Sequence, residues 1–109
     1  MKDDAAFIDH ILLCSDKILE YTKELTEEDF KTNEMIQDAV IRNIEIIGEA
    51  TKKISKVLKS RYPEIPWKEM SGMRDKLIHD YFGVDAEVVW KTVREDIPYL
   101  KSLMEIIVL

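Results

Sequence analysis

Apolar residues recur at spacings of three and four along almost all of this chain, and this periodicity limits its fold more than any other feature. The most regular stripe consists of Ala86, Trp90, Val93, Ile97, Leu100, Met104 and Ile107. Earlier stripes consist of Ile8, Ile11, Ser15, Ile18, Thr22 and Leu25, and of Ile36, Val40, Asn43, Ile47, Ala50, Ile54 and Val57. Such spacings place side chains on one face of an α-helix, which must be buried against another element. The sequence therefore predicts an all-α fold, an antiparallel bundle of four to five helices.

Residues that favour helix starts precede the apolar stripes. Thr26 is followed by three acidic residues, which is typical of an N-cap and a first turn. Thr32 or Asn33 can begin the next helix, and Asp85 can cap the last one. Pro66 suits the first turn of a helix, where its missing N–H has no partner to lose.

Proline and glycine residues predict where the helices end or bend. The third stripe should end before Tyr62-Pro63, because proline disfavours helix in the residue before it. The helix that begins at Pro66 is predicted to continue through Met73, Leu77 and Ile78 and to end at Gly83, with Gly72 as a weak point. Pro98 should bend the last helix or divide it in two.

Composition places the chain among small globular proteins. Its 109 residues suit one domain, residues 1–109, and 46% of them are hydrophobic while 35% are charged. Cys14 is the only cysteine, charged residues interrupt every apolar run, and the first residues are acidic. We therefore expect a cytoplasmic protein with no membrane segment, no signal peptide and no internal disulfide. The net charge of −6 is unusual for a nucleic-acid binder, although a local cleft can be positive on an acidic protein.

One segment concentrates residues that could carry chemistry. Arg74, His79 and Tyr81 lie within eight positions of one another, shortly before Gly83. Histidine can accept or donate a proton near neutral pH, and arginine can hold phosphate oxygens through paired hydrogen bonds. Such a pair is sufficient for RNA cleavage without a metal: His79 would move the protons, and Arg74 would stabilise the charged phosphate oxygens.

Helix geometry leaves open how Arg74 and His79 could act together. On a regular α-helix they lie about 140° apart, so register alone cannot direct both to one atom. The arginine side chain could reach round the helix, the helix could loosen near Gly83, or two copies of the motif could meet across a dimer, which we favour. Asp75, four residues before His79, could hydrogen-bond the imidazole and raise its pKa.

Ordinary structural roles compete with these interpretations. Arg74 could be a surface ion-pair partner and Tyr81 a core aromatic residue. His10 stands among acidic residues and is expected at the surface, and Cys14 is expected to be a small buried residue. Two distant histidines and one cysteine predict neither a metal site nor another cofactor site.

The motif and its surroundings resemble a known family. Arg74, His79 and Tyr81 match the R-x4-H-x-Y motif of HEPN domains. The segments 39–50, 65–74, 79–85 and 89–90 resemble the HepT-like branch of that family, and the similarity covers nearly the whole chain. Asp75 stands where the family often has asparagine.

This resemblance implies a HEPN-like helical bundle that dimerises, so that two motifs line one cleft. It further implies a metal-independent endoribonuclease that acts on RNA, with tRNA as a candidate substrate, as the toxin of a bacterial or archaeal toxin–antitoxin pair. Arg74 and His79 match the catalytic residues. Tyr81 matches the tyrosine that an MntA-like nucleotidyltransferase antitoxin modifies with AMP, which would put bulk and negative charge into a cleft for RNA.

Two other functions are compatible with the same residues. The chain could be a catalytically silent helical partner of a nucleotidyltransferase. Alternatively, it could be the antidote of a nucleotidyltransferase that is itself the toxic enzyme. Expressing each protein alone would separate these possibilities, because only the toxin should stop growth by itself.

Overall fold

The computed structural model describes residues 3–77 and 85–109. Within these ranges the regular structure is entirely helical, as the periodicity predicts. The α-helices are α1 (Asp4–Thr22), α2 (Glu27–Lys31), α3 (Glu34–Lys53), α4 (Lys56–Arg61), α5 (Trp67–Ser71), α6 (Ala86–Lys91) and α7 (Ile97–Glu105). A 3-10 helix, Met73–Lys76, follows α5, and a π-helical turn, Thr92–Asp96, joins α6 to α7. No described helix is both long and apolar enough to cross a membrane.

The long helices pack antiparallel around one core. Asp4, at the start of α1, accepts a hydrogen bond from the backbone of Ser55, just after the end of α3. Arg94, before the start of α7, donates to the backbone oxygen of Thr22 at the end of α1. The predicted stripes supply most of the buried residues, and Ile11, Ile18, Val40, Ile47, Val93 and Ile97 are fully enclosed. The antiparallel helical bundle predicted from the sequence is confirmed.

The predicted N-caps Thr26, Asn33 and Asp85 are also confirmed, whereas Pro66 is the N-cap of α5 and precedes its first turn. Thr26 and Asp29 form a capping box, in which each side chain accepts a hydrogen bond from the other residue's backbone N–H. The Asn33 side chain accepts from the backbone N–H of Ile36, and Asp85 accepts from the backbone of Glu87 and Val88. These caps satisfy N–H groups that a helix start otherwise leaves without partners.

The third stripe is not one continuous helix, and its prediction was wrong at Val57. α3 ends at Lys53, Ile54 is extended, and Ser55 caps the new helix α4. This break shifts the register, so Leu58 is buried whereas Val57 is 53% exposed. Helix α4 ends at Arg61, directly before Tyr62, as expected from the following proline.

The predicted continuous helix from Pro66 to Gly83 is wrong in its described part. Helix α5 ends at Ser71, and the backbone N–H of Gly72 closes it by donating to the Lys68 and Met70 carbonyls. A 3-10 helix follows, in which the N–H of Leu77 donates to the Arg74 carbonyl three residues earlier. Glycine stabilises a helix interior poorly, which explains why the break falls here. Ile78 and the predicted end at Gly83 lie outside the described residues.

Pro98 affects the last helix in the way expected of an internal proline. It cannot donate a hydrogen bond, and its ring conflicts with an α-helical carbonyl four residues earlier. Ahead of it the helix widens into the π-turn, where the N–H of Ile97 donates to the Thr92 carbonyl five residues earlier. The apolar stripe nevertheless continues into the core through Ile97, Leu100 and Met104.

A buried carboxylate joins the start of α1 to the start of α4. Asp4 is 1% exposed and accepts hydrogen bonds from the Ser55 N–H at 2.9 Å and the Ser55 hydroxyl at 2.6 Å. Burial raises the pKa of Asp4, but the two hydrogen bonds from Ser55 oppose this, and the net pKa lies below the ordinary 3.8. The ionised form is therefore the one that stabilises this junction.

Asp4→Asn is expected to lower the free energy of unfolding by about 1 kcal/mol near neutral pH, because it weakens charge-assisted hydrogen bonds. Since the folded-state pKa is lowered, the stabilisation is present above the unfolded pKa near 3.8 and is lost as pH falls through the folded pKa. Urea unfolding from pH 7 down to pH ~2 should show the wild type and variant converging at the acidic end. Asp9→Asn, at an exposed position of α1, is the matched control. A constant difference at every pH would contradict this assignment.

Candidate functional site

Arg74 lies on the 3-10 helix, between two residues that face the core. Met73 and Leu77 are buried, whereas the Arg74 side chain is 47% exposed. The 3-10 helix therefore anchors the segment through its apolar residues and directs the guanidinium group towards the surface. Such a group can reach a ligand in solvent without disturbing the core.

The guanidinium of Arg74 is held by a carboxylate from another helix. Its Nε lies 2.8 Å from Oε2 of Glu45 on α3, and the Glu45 side chain is 31% exposed. Asp75 is 81% exposed, and its Oδ1 lies 3.8 Å from Nη1 of Arg74. The Glu45 contact has the length of a charge-assisted hydrogen bond, whereas the Asp75 contact is a looser ion pair.

A close approach between α3 and α5 sets the position of this ion pair. A Cβ atom added to Gly48 would lie 3.0 Å from the backbone oxygen of Ser71, so a larger residue would push the two helices apart. Gly48 lies one helical turn after Glu45, and Ser71 lies three residues before Arg74. The backbones that carry the two charged partners are thus fixed against each other by direct contact.

An open, mainly polar cleft surrounds Arg74. It is lined by Arg42, Glu45, Gly48, Glu49, Lys52, Ser71, Arg74 and Asp75. Three of these side chains are cationic and three are anionic, so the cleft is nearly balanced in charge although the whole chain is acidic. An anionic ligand would meet Arg42, Lys52 and Arg74 in one place, with carboxylates beside them.

The other residues of the predicted site have different outcomes. His79 and Tyr81 lie outside the described residues, so their roles stay predictions. The proposed hydrogen bond from Asp75 to His79 also stays a prediction. It was inferred from the spacing of residues on an α-helix, whereas Asp75 lies in a 3-10 helix. Arg74 does form an ion pair, and its partner Glu45 was not predicted. The catalytic role of Arg74 stays a prediction. A charged residue such as Glu45, which lies off the apolar stripe of its helix, is expected to face water, and only the spacing of Glu45 and Gly48 on one helix face indicates otherwise.

A second cleft lies on another side of the 3-10 helix and is mostly apolar. Met70, Met73, Tyr99 and Leu103 contribute to its lining, together with Lys76. Lys76 and Arg74 therefore border different clefts, although they share one short helix. Among the described residues, no three His, Cys, Asp or Glu side chains are grouped so that they could hold a metal ion.

Comparison with known proteins identifies the family. A family model described as "Ribonuclease HepT-like" matches residues 11–107, a range that contains the whole R-x4-H-x-Y motif. The chain belongs to the HepT-like family. The resemblance read from the motif and its flanking segments is therefore confirmed.

Curated relatives of this HepT-like chain come from archaea and a bacterium. A protein of Methanocaldococcus jannaschii named "Putative RNase" is 50% identical over 98% of this chain and 92% of its own length. A "Probable ribonuclease HepT" of Thermococcus cleftensis is 54% identical over 91% of this chain and 90% of its own. A "Putative RNase" of Caldanaerobacter subterraneus is 41% identical over 98% and 96% of the two chains. No solved structure matches the chain at a significant level.

Proposed function

We propose that this HepT-like protein is an endoribonuclease that cleaves RNA without a metal ion. The observation that carries the proposal is the position of Arg74, the first residue of the motif. Its side chain is half-exposed and lines an open polar cleft, whereas Met73 and Leu77 on either side of it are buried. The names of the relatives, which describe ribonucleases, support the same activity.

The proposed reaction transfers a phosphoryl group within the RNA strand. The ribose 2′-oxygen attacks the adjacent phosphorus, its proton passes to a base, and the bond to the 5′-oxygen breaks as that oxygen takes a proton from an acid. His79 serves as base or acid, and Arg74 stabilises the negative charge on the non-bridging oxygens. The products are a 2′,3′-cyclic phosphate and a free 5′-hydroxyl, with no water consumed.

We further propose that the protein is the toxin of a pair and acts as a homodimer. In a dimer, two copies of the motif would line one cleft, which would supply a base and an acid from different subunits. A partner nucleotidyltransferase, the antitoxin, would silence the site by transferring AMP from ATP to the Tyr81 hydroxyl oxygen, with release of pyrophosphate and the hydroxyl proton. The added phosphate would repel an RNA backbone and would compete for Arg74.

The test of the activity is cleavage of a tRNA pool by the purified protein in EDTA. The intact mass is measured first, because a preparation already carrying AMP on Tyr81 would be inactive for that reason alone. We expect cleavage that persists in EDTA, elutes together with the protein on size exclusion and leaves 2′,3′-cyclic phosphate ends.

Two results would contradict the proposed reaction. Cleavage that EDTA abolishes would argue for a metal-dependent enzyme. An unmodified protein that cuts neither tRNA nor other cellular RNA would favour the non-catalytic partner of a nucleotidyltransferase, which the net charge of −6 makes the second candidate. Binding of that partner would then be measured directly.

A further inference from the structure

We propose that Glu45 is a positioning residue for the cleavage reaction: it holds the guanidinium of Arg74 in the orientation that receives an RNA phosphate. The catalytic part of this inference rests on the proposed ribonuclease activity. The ion pair itself joins α3 to the 3-10 helix through the 2.8 Å contact between Glu45 Oε2 and Arg74 Nε.

The choice of nitrogen atom is the first argument. Glu45 contacts Arg74 through Nε, the nitrogen nearest the backbone, and this fixes the plane and direction of the guanidinium. Within residues 3–77 and 85–109, the contact recorded for Nη1 is the loose one to the exposed Asp75 at 3.8 Å. The outer edge of the guanidinium group, formed by Nη1 and Nη2, can donate two parallel hydrogen bonds to a phosphate. Glu45 thus restrains the side chain through Nε, and an anion could bind at the outer edge, Nη1 and Nη2.

The rigidity of α3 is the second argument. Glu45 is flanked by Ile44 and Ile47, which are fully buried, so its backbone cannot shift without disturbing the core. Gly48 keeps α3 in close contact with Ser71, near the start of the 3-10 helix. A long arginine side chain loses much conformational freedom when it binds a ligand. An ion pair that already restricts Arg74 in the free protein reduces the conformational entropy that is lost when RNA binds.

The same carboxylate could instead oppose catalysis by neutralising Arg74, and the two roles predict opposite effects on kcat. If Glu45 positions Arg74, removing the carboxylate lowers kcat because the guanidinium is no longer aligned in the transition state. If Glu45 only neutralises Arg74, removing it raises kcat. In both cases the substitution removes a negative charge from the cleft that is proposed to bind phosphate. Because this reduces the repulsion of RNA, the KM for RNA should not rise.

The experiment compares Glu45→Ala, Glu45→Gln and Glu49→Ala in the unmodified protein on a defined RNA. Glu49 lines the same cleft but pairs with Lys52, so its variant removes an equal charge without touching Arg74. We expect Glu45→Ala to lower kcat about 10- to 100-fold, the scale of a misplaced catalytic group. Glu45→Gln keeps an acceptor for Nε and should recover part of this loss. Glu49→Ala removes the same charge from the same cleft, so its kcat measures the effect of local charge alone and should stay at least about 10-fold above that of Glu45→Ala.

Two further measurements separate positioning from a general structural role. Glu45→Ala should melt within a few degrees of wild type, and it should cause no additional loss in an Arg74→Ala background, because it acts only through Arg74. In the ¹H–¹⁵N NMR spectrum, the Nε–H signal of Arg74 is identified as the one that is absent in Arg74→Lys. This signal should shift in Glu45→Ala and stay in place in Glu49→Ala.

Each contrary result has a distinct meaning. A kcat that rises in Glu45→Ala, or falls equally in Glu49→Ala, overturns the positioning role. A full additional loss in the Arg74→Ala background does the same. If the unmodified wild type cleaves no RNA, the proposed function fails and the catalytic meaning of the pair fails with it. The Nε–H signal still tests whether Glu45 holds Arg74. An unchanged signal in Glu45→Ala would contradict the ion pair itself.

Discussion

RNA cleavage is expected to fall about 10²- to 10⁴-fold in His79→Ala, the range typical of losing a general acid or base. Arg74→Ala should reduce it about 10²- to 10³-fold, as when one group that stabilises an oxyanion is removed. Arg74 borders an open cleft and is half-exposed, so its loss should leave the melting temperature within a few degrees of wild type. Single-turnover cleavage of a defined RNA in EDTA, beside thermal melting, measures both effects.

Lys76→Ala is the matched control for these catalytic variants. Lys76 lies on the same 3-10 helix as Arg74 and carries the same charge, but it lines the apolar cleft with Met73 and Tyr99. Removing it tests whether a lower net positive charge in this segment is enough to slow cleavage. A loss in Lys76→Ala as large as that in Arg74→Ala would mean that Arg74 contributes only general electrostatic attraction. Equal cleavage by wild type and His79→Ala would identify a contaminating nuclease.

The parts of the fold that follow from local chemistry could be predicted from the sequence. The apolar stripes at spacings of three and four identify the buried faces, because burying these residues is the main stabilising contribution to such a bundle. Thr26, Asn33 and Asp85 could be assigned as caps because their side chains satisfy backbone groups within three residues. Pro98 could be assigned as a distortion because its effect on the helix is covalent.

The errors in the predicted fold lie at helix breaks, where the local sequence is compatible with two different backbone structures. Val57 continues the third stripe at a perfect spacing, yet Ser55 can also cap a new helix, and the bond from Ser55 to Asp4 favours the break. Asp4 lies 51 residues earlier in the chain, so no local pattern includes it. At Gly72 the penalty for glycine was recognised, but the change to a 3-10 helix depends on how Met73 and Leu77 pack against the core.

The site shows the same division between local pattern and tertiary contact. The motif identifies Arg74 because its residue types and spacing are fixed within one segment. Glu45 lies 29 residues before Arg74, on a face expected to be exposed, and only the packing of α3 against α5 brings the two together. Arg94 is a parallel case: it stacks 4.2 Å from the Trp90 ring and donates to the Thr22 and Leu25 carbonyls. Long charged side chains find such partners in three dimensions, and sequence periodicity carries little information about them.

The composite helix of residues 86–105 provides the strongest test of the core. Ile97 has no exposed surface and lies where the π-turn passes into α7. Ile97→Asp would place a carboxylate among apolar side chains with no partner, and it would also remove a large buried group. We expect a loss of roughly 4 kcal/mol or more, which is a large part of the ~5–15 kcal/mol total stability of a typical domain.

Ile97→Asp should therefore be unfolded at 25 °C or melt roughly 20 °C or more below wild type, since each kcal/mol lowers Tm by about 4–8 °C in a domain near this size. Far-UV circular dichroism during heating measures the change. Tyr99→Asp introduces the same charge two residues later, where the side chain is 57% exposed, and should melt within a few degrees of wild type. Native melting of Ile97→Asp would place this residue outside the core. An equal loss in both variants would mean that aspartate destabilises α7 through helix propensity and charge, whatever the burial of the residue it replaces.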